Sequence, residues 1–311
     1  MSTSSATVAG SPPPGAGSSG DINLSKKPRP AESAIKVLLA TCALLSALIS
    51  VGIVAALIDP VIDFFGQVPF GDYFALEGEY GVLPLINATM ITTIIALLVA
   101  VPLGLGAAMY LSEYASPRAR RILKPTVELL AGVPSVVYGF FALAFVTPTL
   151  LQDILSLDVG FTNMLAAGLI LGVMVIPTIA SLAEDSLSAV PMAMRQGSLA
   201  MGANRMQTTV RVVFPAALSG IAAAIVLGMS RAIGETMIVT LAAGNIKNFT
   251  LDPRDGAQTM TGFIANTAGG ENPVGSVDYN MLFAVGMTLF VITLVINMVS
   301  IFIVRRYRQA Y

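Results

Sequence analysis

The sequence predicts an all-α membrane protein with six transmembrane helices and both termini in the cytoplasm. Three observations carry this prediction. The 311 residues are 55% hydrophobic and 11% charged, where a soluble domain carries about a quarter charged residues. Mean hydropathy is +0.79. The apolar residues fall into six long runs, and the basic residues gather on alternate connections between them.

The uncharged runs are 37–58, 80–112, 129–152, 159–183 and 279–304, and a sixth, 212–246, is interrupted only by Arg231 and Glu235. Each can supply the roughly 20 residues that a helix needs to cross the hydrocarbon core. Ahead of the first run, the Ser-, Gly- and Pro-rich segment with Pro12-Pro13-Pro14 cannot bury a core and is expected to be disordered. The run 37–58 has 22 residues, longer than a signal-peptide apolar region, and no clear small-residue cleavage site follows, so a retained first span is expected. The run 80–112 exceeds one span, which places its start at the interface with Pro84 near the helix entry. Pro102, Pro134 and Pro177 are expected to kink spans two, three and four.

Charge sets the orientation. Lys26, Lys27, Arg29 and Lys36 flank the first span; Arg118, Arg120, Arg121 and Lys124 lie between spans two and three; Arg195, Arg205 and Arg211 lie between four and five; Arg305, Arg306 and Arg308 follow six. That places 14 of the 17 basic residues on one side. The other connections begin with Asp59, Asp63, Asp72, Glu77, Glu79, Asp153 and Asp158. Positive charge marks the cytoplasmic face. The chain then divides into a tail over 1–33, a first span with its outer segment over 34–79, a transmembrane domain over 80–306 with a cytoplasmic loop at about 184–211, and a tail over 307–311.

Composition also excludes chemistry. One cysteine, Cys42, excludes an internal disulfide, and the absence of histidine removes the usual transition-metal ligand and general base. No cofactor or metal is expected, and a net charge of −1 gives no sign of nucleic-acid binding. No Gly-x-x-x-x-Gly-Lys-[Ser/Thr] segment occurs, so the chain is not an ATPase of the P-loop kind.

Arg231 and Glu235 are the strongest pointer to function. Even lenient scales charge about 2.5–3.5 kcal/mol for each ionised group at the centre of a membrane helix. Four residues apart in one helix, they would share a face and partly neutralise each other. A guanidinium stays protonated and offers forked donors to an oxyanion, which makes the pair a candidate substrate-pathway site. A structural ion pair joining span five to a neighbour is the other reading. Glu128, four residues after Lys124, reads as that lysine's interfacial partner. Gly220, Gly228, Ser230 and Gly234 read as close-packing positions.

The loop 184–211 is too patterned for a linker. Leu187, Val190, Met194, Leu199 and Met201 give a broken apolar face, so much of 187–207 is expected to be helical. Gly202 would allow a close approach, and Pro215 suits the first turn of the next helix. A helix lying on the membrane surface and a peg docking into a partner's groove both fit.

Here the sequence resembles a known family. Gln196-Gly197-Ser198, three residues, Gly202, nine residues, then Val212-x-Phe214-Pro215 is similar to the "EAA" loop of ABC-importer permeases, with Gln196 in place of the usual Glu. Leu130-Ala131-Gly132-Val133-Pro134-Ser135-Val136-Val137-Tyr138-Gly139-Phe140-Phe141 and Arg231-Ala232-Ile233-Gly234-Glu235-Thr236-Met237 resemble the phosphate-importer permeases, and the run to Gly244 resembles their PstC branch. The resemblance implies a type I ABC-importer permease (MetI-like) fold and transport of phosphate. It also implies a paralogous permease (PstA), a separate ATPase dimer (PstB) on the coupling loop, and a phosphate-binding protein (PstS) outside. It implicates Arg231 and Glu235 in transport, and Gln196, Gly197, Ser198, Gly202 and Pro215 in the coupling loop. The loops 59–80 and 245–280 are candidate contacts for the binding protein by position. An ABC permease for sulfate, molybdate or phosphonate, or an ATP-independent anion transporter or channel, is the alternative.

Overall fold

The computed structural model describes residues 30–306. The tails expected at 1–33 and 307–311 lie outside them, except that helix α1 (Pro30–Gln67) already begins at Pro30. The chain divides into two units, Met1–Gly52 and Ile53–Tyr311. In the first, residues 33–52 are helical and exposed throughout, as apolar side chains are when lipid is their solvent.

The second unit is a helical bundle. After the end of α1 come a short α2 (Phe70–Tyr73), α3 (Leu83–Met109), α4 (Pro117–Leu130), α5 (Ser135–Phe141), α6 (Met164–Ser188), α7 (Met192–Ala200), α8 (Arg205–Thr208), α9 (Phe214–Ile233), α10 (Met237–Ala242), α11 (Met260–Ala268) and α12 (Val277–Arg306). Three π-helical stretches extend these elements: Tyr110–Tyr114 after α3, Ala142–Ile154 after α5, and Thr209–Val213 between α8 and α9. Six helices are long and apolar enough to cross a membrane: Ser33–Gln67, Leu83–Tyr114, Ser135–Ile154, Met164–Ser188, Arg205–Ile233 and Val277–Phe302. The six-span count stands.

Several boundaries differ from expectation. Helix α1 continues through Asp59 and Asp63 to Gln67, so part of the expected outer segment is helical. The third span starts at Ser135, not 129, because Pro134 holds an extended ψ of 134° and caps α5. Pro134 therefore ends a break instead of kinking a span. The hydroxyl of Tyr138 donates to Leu130 O at 3.0 Å, satisfying a terminal carbonyl of α4 across that break. Pro102 and Pro177 do lie inside α3 and α6, and Pro84 lies in the first turn of α3.

Helix α6 is the centre of the bundle. Its N-cap Asn163 is fully buried; Oδ1 accepts from Ala166 N at 2.7 Å and Nδ2 reaches Thr147 Oγ1 and Gly160 O. Small residues let α6 press onto α3: a Cβ on Gly172 would stand 2.8 Å from Ala96 O, and one on Gly168 2.7 Å from Ile95 Cβ. On its other side, a Cβ on Gly228 of α9 would meet Ile179 at 2.7 Å. Helix association in lipid rests on such close contact, since burying apolar surface drives little there. Thr89 and Thr92 are buried in α3 because each hydroxyl returns a bond to the carbonyl four residues back, at 2.8 Å.

The connection after α10 is tied down by hydrogen bonds to its backbone carbonyls. Leu165 N donates to Pro253 O, Met164 N to Asp255 O, and Asn87 Nδ2 to Thr250 O. Lys247 Nζ donates to Glu79 O at 2.5 Å and lies 4.9 Å from the Phe263 ring, and burial lowers its pKa. Tyr73 is buried against Phe64, its hydroxyl 2.7 Å from Thr288 Oγ1, and burial pushes its pKa up to about 12.

Candidate functional site

Arg231 and Glu235 do not share a helix face. Helix α9 ends at Ile233 with Gly234 as its C-cap, and α10 starts at Met237. Arg231 is exposed in the last turn of α9, where a cation faces the negative end of the helix dipole. The Glu235 carboxylate turns to the other helix: Oε1 accepts from Met237 N at 3.2 Å and from Ile238 N at 3.5 Å. Its own carbonyl accepts from Thr261 Oγ1 at 2.7 Å. Among the described residues Arg231 has no hydrogen bond or ion pair. The physical reason is the break, since the i, i+4 spacing brings side chains together only where helical rotation continues.

Of the small residues near this site, Gly220 and Gly228 do pack closely, on Ser186 and Ile179. Gly234 serves as a cap instead, and Ser230 joins α9 to α12 by a 2.7 Å bond to Asn297 Oδ1.

A second polar region lies at the basic end of the bundle. The side chain of Glu184, in the last turns of α6, is fully buried, pairs with Arg120, reaches Lys124 Nζ at 2.5 Å and accepts from Ser188 Oγ at 2.9 Å. Lys124 also meets Asp185 Oδ1 at 2.9 Å, and these bonds raise its pKa. The expected Lys124–Glu128 pair is therefore replaced by one that staples α4 to α6. A buried carboxylate needs a cation more than an exposed one does.

The expected helix after α6 is two helices. Helix α6 runs on through Leu187 to Ser188, and the chain turns at Val190-Pro191 into α7. Gln196 and Gly197 lie on the exposed side of α7, with Met192, Leu199 and Met201 exposed nearby. Ser198 faces inward, 2.9 Å from Thr208 Oγ1. Gly202 takes φ +87°, and Ala203 N donates back to Ser198 O at 3.2 Å. That left-handed turn closes α7, and no neighbour stands within 4 Å of a Cβ built there, so backbone conformation is what requires the glycine. Asn204 and Gln207 then form a reciprocal capping box for α8. Pro215 lies in the first turn of α9, but the span it belongs to is continuous from Arg205.

Sequence reasoning missed Arg195. From the inner side of α7 its guanidinium bonds Glu113 Oε1 at 2.9 Å, Leu187 O at 2.7 Å and Val190 O at 2.5 Å. Its position one residue before Gln196 was the only signal available. A cavity of about 390 Å³ opens beside it, lined by Ser112, Glu113, Arg120, Ser188, Arg195 and Arg205 among others.

This architecture, six spanning helices with the short α7 inserted between the fourth and fifth, has relatives. The family described as "Binding-protein-dependent transport system inner membrane component" matches residues 100–309. The chain belongs to that family of ABC-importer permeases. It is 39% identical over 70% of its length to a probable ABC transporter permease, YqgH, of Bacillus subtilis, covering 69% of that protein. It is 31% identical over 86% of its length to the phosphate transport system permease protein PstC of Haemophilus influenzae, covering 92% of it. Among solved structures, a chain of the MetNI methionine ABC transporter in an inward-facing conformation aligns at TM-score 0.55, with 20% identity, covering 74% of this chain and 95% of that one. The resemblance to PstC-type permeases and the type I importer fold are both borne out, and the chain is a multi-pass inner-membrane protein.

Proposed function

We propose that this chain is a permease subunit of an ATP-driven importer of inorganic phosphate and forms half of the transmembrane pathway. The observation that carries the substrate is its likeness along 86% of its length to a phosphate transport permease. The paralogous permease (PstA) supplies the other half, a dimeric ATPase (PstB) binds at the basic, cytoplasmic end, and a phosphate-binding protein (PstS) delivers the ion at the other. Hydrolysis belongs to the ATPase, which brings its own P-loop.

Arg231 is the pathway cation in this reading. Its guanidinium is always charged, exposed and without an internal partner among the described residues, so it can meet phosphate without first breaking a bond. Glu235, across the helix break, keeps the local field weak enough that the ion is released. On the basic end, Gln196, Gly197 and the exposed apolar residues of α7 present the ATPase contact, Ser198 and Gly202 hold that helix in shape, and Pro215 lies ten residues into the span that follows, in the first turn of α9. Closure of the ATPases moves α7 and rocks the bundle between outward- and inward-open states.

The test has two parts. Phosphate uptake and growth at low phosphate are measured after deletion of this chain, with sulfate uptake as control. Loss of phosphate uptake alone supports the reading; loss of sulfate uptake alone reassigns the substrate. The purified chain is then assayed in liposomes. Copurification with a P-loop ATPase and no flux from the chain alone are expected, and flux from the chain alone would point to a self-sufficient transporter or channel.

A further inference from the structure

We propose that Arg195 is a positioning residue for transport, a three-way joint that carries motion of α7 into α3 and α6. The proposal rests on the reading of α7 as the ATPase-docking helix. Its ground is geometric. All three guanidinium nitrogens are engaged, by partners at the end of the α3 span, in the last turn of α6 and in the turn between α6 and α7. Nε and Nη2 donate to Glu113 Oε1 at 3.3 and 2.9 Å. Nη2 also donates to Leu187 O at 2.7 Å, and Nη1 to Val190 O at 2.5 Å.

Leu187 O lies in the last turn of α6, and Val190 O lies in the turn between α6 and α7. A cation there adds to the bond that Val190 N already gives Leu187 O and faces the negative end of the α6 dipole. Glu113 sits in the π turn that ends the α3 span, which closes with Ala115 N to Tyr110 O at 2.8 Å. The side chains of Arg195 and Glu113 are 15% and 9% exposed, so neither finds water easily if the other withdraws.

Rigidity on one side and room on the other make this a joint. Downstream, α3 and α6 are locked by Gly168 and Gly172, and α6 and α9 by Gly220 and Gly228, with no space for a methyl group. A shift of their basic ends therefore travels along whole helices, and α9 carries Arg231 in its final turn. Upstream, the cavity beside Arg195 leaves α7 space to move. A planar fork with several donors suits this role, and a lysine ammonium would hold fewer of the partners in fixed geometry.

The experiment uses the complete transporter in liposomes and reads ATP hydrolysed per phosphate imported, at matched assembly. Arg195→Gln and Glu113→Gln are each expected to raise that ratio at least tenfold. Arg195→Lys, which keeps one ionic contact, is expected to fall between wild type and Arg195→Gln. The double variant Arg195→Gln/Glu113→Gln leaves no buried unpaired charge, so membrane abundance should recover while the ratio stays high. A structural role would instead restore both together, and a wild-type ratio in that double variant overturns the proposal. If wild-type complex itself carries no phosphate, the proposed function fails, and the ratio is then read with the solute that does drive hydrolysis.

Discussion

Arg231 closes one helix and Glu235 opens the next, so the two charges face a helix break from opposite sides. A carboxylate bonded to the first amides of α10 is held there, whereas the arginine has no such tether among the described residues. The charge-assisted bond that Arg231 can offer an oxyanion is worth about 1.5–3 kcal/mol, about tenfold or more in binding. Arg231→Gln is therefore expected to lower phosphate uptake per assembled transporter at least tenfold. Glu235→Gln keeps an acceptor for the α10 amides and should alter uptake with normal assembly, while Glu235→Ala should also lose about 1 kcal/mol of helix capping. Uptake assays at matched abundance check both, and near-normal uptake in Arg231→Gln and Glu235→Gln would end the assignment.

Gly202 holds a left-handed conformation that costs an ordinary L residue about 1–2 kcal/mol. Gly202→Ala should loosen the α7–α8 turn without a clash, since the space around it is open. A bulky acid, Gly202→Glu, should also disturb the exposed face of α7. ATP hydrolysis per phosphate imported is expected to rise in the order Gly, Ala, Glu. A Glu variant with wild-type coupling would count against docking at this turn.

Glu184 is the buried member of the cluster, and Arg120 and Lys124 are partly exposed at 41% and 29%. Glu184→Gln leaves two cations that can turn to water. Removing both cations strands a carboxylate in the interior, which costs about 3–5 kcal/mol. The double variant Arg120→Leu/Lys124→Leu is therefore expected to melt well below Glu184→Gln, followed by circular dichroism. The Lys124 pKa is raised above 10.5, so its contribution is complete below pH 10.5 and is lost only as pH climbs through the raised value.

The α3–α6 contact makes a packing prediction. Gly172→Ala places a methyl 2.8 Å from Ala96 O, while Gly286→Ala in α12 meets nothing within 4 Å. Overpacking costs about 1–3 kcal/mol. Thermal unfolding should show a clear loss for the first and little change for the second; equal values would mean that α3 and α6 are free to part.

Much of this protein was legible in its sequence. Six spans follow from hydropathy, because lipid demands long apolar helices whatever their neighbours. Arg231 stood out because an ionised group is costly in such a helix, and Gly202 and Pro215 stood out because their backbone preferences are local. What only the tertiary structure decided are the interruptions and the partners. An apolar run looks the same whether the helix continues or breaks, so the stop at Gly234, the cap at Pro134 and the start of span five at Arg205 were hidden. Lys124 and Arg195 could not be paired from spacing, because their carboxylates lie 60 and 82 residues away. Local chemistry sets which segments become helices; only the folded bundle sets which charges meet, since a buried charge takes the partner that packing brings within reach.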